Sequence, residues 1–94
     1  SCFAGVGEHL AARFGTRGAP ISLSTACATG ASAIQLGVEA IQRREARAAL
    51  CIGAEGTVEA ESLIRFSLLS ALSTRNEDPA RASRPFDKTR DGFV

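Results

Sequence analysis

The stretch Thr25-Ala26-Cys27-Ala28-Thr29-Gly30 most constrains what this chain can fold into. Strand-forming residues precede it in Pro20-Ile21-Ser22-Leu23-Ser24, and small residues follow it in Ala31-Ser32-Ala33-Ile34-Gln35-Leu36-Gly37. That order predicts a buried strand ending at Thr25, a tight turn, and a helix beginning at or beside Cys27. A thiol then sits on the first turn of a helix. The first N–H groups of a helix have no intrahelical partner, and the aligned peptide dipoles place roughly +0.5 charge there, so an anion is stabilised. The thiolate is such an anion, and it is the nucleophilic form of cysteine. The same N–H groups are suited to an oxyanion formed when sulfur attacks a carbonyl. The competing reading is an inert packed thiol, because cysteine is among the most often buried residues.

The helix is predicted to run from about Cys27 to Arg44. Ala26, Gly30, Ala33, Ile34, Gly37, Val38 and Ile41 form one face, opposite Gln35, Glu39 and Gln42. Glycine inside a helix costs about 1 kcal/mol relative to alanine, so Gly30 and Gly37 predict the close approach of another backbone. Arg43 and Arg44 suit the negative end of the helix. Arg47-Ala48-Ala49-Leu50-Cys51-Ile52-Gly53 reads as a second strand, apolar without interruption as in a parallel sheet buried on both faces. Strand, helix and strand make a right-handed βαβ unit, so the expected class is α/β. Cys51, mid-strand with no charge to activate it, reads as packing, and Cys2 has no legible role.

Elsewhere the pattern is plainer. Val6, Leu10, Ala11 and Phe14 recur at helical spacing, with Gly15 as the stop and residues 16–20 as a turn. His9, the one histidine, reads as part of a solvated helix face rather than as a base for Cys27. Gly5-Val6-Gly7 lacks both the third glycine and the preceding strand of a dinucleotide fingerprint. Residues 59–72 read as a further helix whose apolar surface includes Leu63, Ile64, Phe66, Leu68 and Leu69. A polar connector runs from Ser73 to Ser83, and residues 84–93 alternate charges between two phenylalanines. Such a charge run is ordinarily a solvated loop.

Composition excludes several roles. Eleven Lys and Arg against ten Asp and Glu leave a formal net charge of +1, without the basic face that nucleic-acid binding needs. No run approaches the about 18 apolar residues of a membrane span, and no signal-peptide pattern opens the chain. Cys2, Cys27 and Cys51 are odd in number and widely spaced, which fits neither a disulfide framework nor a zinc site. A cytoplasmic protein without a metal is expected.

Four motifs in order carry a resemblance to a known family: Ser24-Thr25-Ala26-Cys27-Ala28-Thr29-Gly30; Gly53-Ala54-Glu55; Ala71-Leu72-Ser73-Thr74-Arg75-Asn76; and Ser83-Arg84-Pro85-Phe86-Asp87-Lys88-Thr89-Arg90-Asp91-Gly92-Phe93-Val94. They are spread over residues 24–94 and resemble the β-ketoacyl-acyl carrier protein synthases, closest to the elongating type II enzymes of fatty acid synthesis. The resemblance implies a thiolase-like layered α-β-α-β-α fold, of which residues 1–94 would be part of the N-terminal half. The missing initial methionine and the apolar end agree with a fragment. It also implies decarboxylative condensation of acyl thioesters with malonyl carrier protein through an acyl-Cys27 intermediate. Phe66 would line the acyl pocket, Glu55 would bond backbone near the nucleophile, and Arg84, Asp87, Arg90 and Asp91 would hold an ordered loop.

Acyl carrier protein would be the partner and would itself carry the phosphopantetheine, so no resident cofactor is implied. The parent would be a homodimer. The histidines and lysine that assist decarboxylation in the family have no counterpart here, so these residues alone would accept an acyl group without condensing it. The chain departs from many relatives at Ile52, which precedes a single Gly53, and at Ser70, where several have a basic residue. Polyketide ketosynthases, thiolase-like degradative enzymes and a non-catalytic dimerising fragment are the alternatives. The thiolase-like reading is disfavoured by the Arg-Pro-Phe-Asp loop, and Cys27 argues against a decarboxylating partner subunit that lacks the nucleophile; the dimerising fragment stays open.

Overall fold

The computed structural model describes the backbone of residues 2–94 and the side chains from residue 5 onward. The chain divides into two compact units, Ser1–Ala54 and Glu55–Val94. The side chain of Cys2 lies outside the described residues.

In the first unit, helix α1 spans Cys2–Phe14. It stops as its glycine demands: Gly15 is left-handed at φ +65°, and the Thr16 N–H returns to the Ala11 carbonyl at 3.1 Å. Gly5 and Gly7 are thus helical and not part of a phosphate loop. At Gly7 the helix lies against the chain that follows, for a Cβ there would stand 3.3 Å from Pro20 Cβ and 3.2 Å from Ser22 Oγ. His9 is exposed, as a solvated face requires.

Helix α2 spans Thr29–Gln42 and is preceded by a 3₁₀ turn, Ala26–Ala28. Its covered stripe is the small one, with Ala33 and Gly37 buried and Gly30 and Ala40 half-buried. The expected close approach is present. A Cβ on Gly37 would meet Cys51 Sγ at 2.6 Å and Ala49 Cβ at 3.2 Å, while one on Gly53 would meet Gly30 Cα at 3.1 Å. Residues 49–53 therefore lie along the glycine stripe. The larger members of the expected face, Ile34, Val38 and Ile41, remain exposed. The helix ends with Arg44 left-handed at φ +60° and the Glu45 N–H on the Ala40 carbonyl at 2.9 Å. Arg43 pairs with Glu39 and Glu45 on the surface, where such pairs contribute little.

The expected strands at 21–25 and 47–53 are not formed, and with them the βαβ ladder is absent among the described residues. Both segments lie beside a helix, but a parallel strand must also give its N–H groups to a neighbour about 4.8 Å away. No backbone hydrogen bond joins the two segments. The burial expected of residues 47–53 is likewise unmet: Leu50 is 57% exposed, and Ile21 in the first segment is 73% exposed.

In the second unit, α3 spans Ala60–Leu68, shorter at both ends than the pattern suggests. Ser70 takes the left-handed position, φ +54°, and the Ala71 N–H closes on the Phe66 carbonyl at 3.0 Å, which terminates the helix. Beyond it Leu72 forms an isolated parallel bridge with Phe93. The Phe93 N–H donates to Ala71 O at 2.8 Å, and the Ser73 N–H donates to Phe93 O at 2.7 Å. A short 3₁₀ turn, Pro79–Arg81, leads to buried Ala82. No helix among the described residues is long and apolar enough to cross a membrane.

The bridge depends on Gly92, whose φ is +146° and whose missing Cβ would stand 2.5 Å from Ala71 O and 2.8 Å from Ser73 N. A side chain there is both strained and obstructed. Gly92→Ala is expected to destabilise this unit by about 1–3 kcal/mol. Hydrogen exchange in the intact protein checks it, with the amides of Ser73 and Phe93 losing protection first.

Candidate active site

The turn that presents Cys27 is an unusual piece of backbone. Thr25 has φ −124° and ψ 36°, and Ala26 is left-handed at φ +54°. A non-glycine residue in that region costs about 1–2 kcal/mol, so the surroundings must hold it. The Ala28 N–H donates to Thr25 O at 3.2 Å, and the Thr29 N–H donates to Ala26 O. The Thr29 hydroxyl accepts the Thr25 N–H at 2.9 Å and donates to Ala26 O at 2.7 Å. Thr25 Oγ1 and Ser32 Oγ are 2.7 Å apart, a further hydrogen bond across the same turn. Cys27 is exposed and unpaired within this 3₁₀ turn, two residues ahead of α2. The expectation that the thiol opens a helix is met in that form. Cys51 is also a free, exposed thiol and not the buried mid-strand residue expected, because the strand does not form; its sulfur still lies against Gly37.

The charge run of residues 84–93 is an ordered loop in the second unit. Arg84 and Asp87 close a turn through the Asp87 N–H and Arg84 O at 3.1 Å, with Pro85 and Phe86 between them. Proline followed by a left-handed residue is the type II pattern, here with Phe86 at φ +65° in place of glycine and its ring 99% exposed. The expected charged residues hold backbone and one another's neighbours; among the described residues they form no ion pairs with each other. Arg84 Nε donates to Arg81 O at 2.8 Å, and its other nitrogen to Thr89 Oγ1 at 2.8 Å. Arg90 donates to Asp87 O at 2.7 Å. Asp87 Oδ1 accepts both the N–H and the hydroxyl of Thr89, at 2.7 and 2.6 Å.

Asp91 joins this loop to the preceding motif. It accepts the Ser73 hydroxyl at 2.6 Å and the Thr74 N–H at 3.1 Å. Arg75 reinforces the join by donating to Thr89 O at 2.8 Å, while its Nε is buried without a partner. The hydrogen bonds from Thr89 hold the Asp87 carboxyl below the usual carboxylate range, and that from Ser73, followed by the Thr74 N–H, does the same for Asp91. Phe66 packs edge-on against Phe93, ring centres 5.3 Å apart at 78°. A shallow open hollow beside it is lined by Ala71, Pro85, Phe86, Arg90, Asp91, Gly92 and Phe93. Cys27 belongs to the first unit and Phe66 to the second. Glu55 accepts the N–H of its neighbour Gly56 at 3.1 Å.

Sequence reasoning missed the left-handed Ala26, the Thr29 hydroxyl bonds and the Asp91 join. Only the second carried a signal, since a hydroxyl residue at a helix start commonly bonds backbone there.

A carboxylate with a lowered native pKa contributes stability that is present above its unfolded value, near about 4, and is lost as pH falls through the native value. The Thr74 amide should therefore exchange faster, relative to its unprotected rate, below about pH 4. In Asp91→Asn that acid dependence should vanish, with protection already weakened at neutral pH; hydrogen exchange across pH is the measurement.

The model of the "Beta-ketoacyl synthase, N-terminal domain" family matches residues 4–94. The chain is 44% identical over 84 residues to the 3-oxoacyl-[acyl-carrier-protein] synthase 2 of Synechocystis, covering 89% of this chain and 20% of that protein. It is 43% identical over 89 residues to the synthase of the same name from Vibrio harveyi, covering 95% and 21%. A third such synthase, from Mycobacterium bovis, is 48% identical over 71 residues, covering 74% and 17%. The chain thus spans about a fifth of the length of the curated relatives it matches. It belongs to the β-ketoacyl synthase family, and through it to the thiolase-like α/β class.

Proposed function

We propose that the protein carrying this chain is a 3-oxoacyl-acyl carrier protein synthase of fatty acid synthesis, with Cys27 as its acyl acceptor. The observation that carries this is an exposed thiol on the turn into α2, inside a family match that runs through both units. Residues 1–94 are then part of the N-terminal half of the synthase domain. In the complete protein the segments 21–25 and 47–53 become strands of the layered α-β-α-β-α fold, around the βαβ unit. The protein acts as a cytoplasmic homodimer. It needs no resident cofactor, because the phosphopantetheine arrives on the acyl carrier protein.

The chemistry uses the sulfur twice. The Cys27 thiolate attacks the carbonyl of an acyl thioester on acyl carrier protein. The carbonyl π electrons move to oxygen, where an N–H at the turn, other than those of Thr25, Ala28 and Thr29 that already donate within it, stabilises them. Their return breaks the bond to the phosphopantetheine sulfur, which leaves as a thiol after taking a proton. Malonyl carrier protein then loses carbon dioxide, and the electron pair left on carbon attacks the Cys27 thioester. The carbon–sulfur bond breaks, the Cys27 thiolate is restored, and a β-ketoacyl carrier protein longer by two carbons departs.

Phe66 is proposed to line the acyl pocket, supported by an aromatic surface it shares with Phe93. Truncating it should slow transfer of long acyl chains more than short ones. Phe66→Ala is expected to lower the rate with a long-chain donor about tenfold beyond its effect with an acetyl donor. Equal losses would assign the ring to packing alone.

The acceptor role is tested directly. The intact protein, incubated with acyl carrier protein bearing a labelled acyl group, should carry the label on Cys27, mapped by mass spectrometry, and Cys27→Ala should not. Label elsewhere, or unchanged in the variant, overturns the enzyme reading.

A further inference from the structure

Both hydrogen bonds of the Thr29 hydroxyl reach back across Cys27. One is accepted from the Thr25 N–H and the other donated to Ala26 O, at 2.9 and 2.7 Å. Between those two atoms lies the left-handed Ala26. Backbone of that kind persists only where the surroundings over-determine it. The Ala26 carbonyl is also taken by the Thr29 N–H, so main chain and side chain of one residue fix the peptide that enters Cys27. The hydrogen bond between Thr25 and Ser32 steadies the far side of the same turn.

We propose that Thr29 is a positioning residue for Cys27: its hydroxyl holds Thr25 and Ala26 in the conformation that aims the thiol and the N–H of the peptide entering Cys27 at one reacting carbonyl. This rests on the reading of Cys27 as acyl acceptor. Acyl transfer needs sulfur and amides correctly placed together. Alkylation by iodoacetamide needs only an accessible thiolate. The two reactions therefore separate positioning from ionisation. Valine keeps the shape of threonine and loses both hydrogen bonds, whereas serine keeps the hydroxyl.

The experiment measures both reactions at Cys27 in the intact protein, by mass spectrometry, for Thr29→Val and Thr29→Ser. Thr29→Val should slow acyl transfer from acyl carrier protein about tenfold, the scale of one lost hydrogen bond. Its alkylation rate and the pH midpoint of alkylation should stay near those of the parent. Thr29→Ser should transfer acyl groups nearly as fast as the parent. An undiminished transfer rate in Thr29→Val, or an equal loss in both reactions, overturns the proposal. So does a tenfold loss of transfer in Thr29→Ser, and that result decides the matter even if Thr29→Val does not fold. A parent protein that takes no acyl label on Cys27 removes the underlying reading and this proposal with it. Normal labelling of the parent beside an unaffected Thr29→Val removes this proposal alone.

Discussion

Contact between helix and chain at the level of main-chain atoms is the constraint on which the first unit depends. Gly30, Ala33 and Gly37 offer almost no side chain along one stripe of α2, and residues 49–53 settle there close enough that a methyl on Gly37 would meet sulfur. Glycine in a helix sacrifices backbone entropy, and the offset is the close contact that only its missing Cβ permits. The helix that begins beside Cys27 is therefore located by its packed stripe, and the turn before it inherits that location.

The second unit solves a different problem with different means. Residues 83–94 have little apolar surface to bury, so order comes from charged side chains turned onto backbone. Asp91 gathers Ser73 and Thr74, Asp87 gathers Thr89, and Arg75 and Arg84 converge on Thr89 from two directions. Hydrogen bonds to charged groups are roughly twice as strong as neutral ones, and several acting on one short loop restrict it more than any one pair of surface ions would. Gly92 then lets the tail lie against the chain leaving α3, and the Phe66 and Phe93 rings close over the join.

Much of this was legible in the residues. Gly15 as a stop, the glycine approach on α2 and the exposed His9 follow from local chemistry, because each depends on groups a few positions away or on the absence of a side chain; the ordered Arg-Pro-Phe-Asp loop is legible only through the family resemblance, since its charge run alone reads as a solvated loop. The strands expected at 21–25 and 47–53 do not form in this chain for the opposite reason. Their apolar pattern states what the segments need, but a ladder requires neighbours, and a pattern within one segment does not supply them. The short α3 was hidden similarly, since serine is not the residue expected in the left-handed position that ends it. Cys27 stands out because a helix start is where a thiolate is stabilised; the bend of Ala26 does not, because alanine gives no warning of a left-handed backbone.

The contact between Gly53 and Gly30 links two matters usually kept apart, tolerance to change and the placement of a thiol. Gly53 bears no reactive group, yet any substituent on it would press on main-chain atoms less than one turn beyond the sulfur. A side chain there requires either the start of the helix or the segment that carries it to give by a few tenths of an ångström. A position with no polar or titratable group thereby limits how far the neighbouring segment can drift in sequence before the turn that carries the thiol is disturbed.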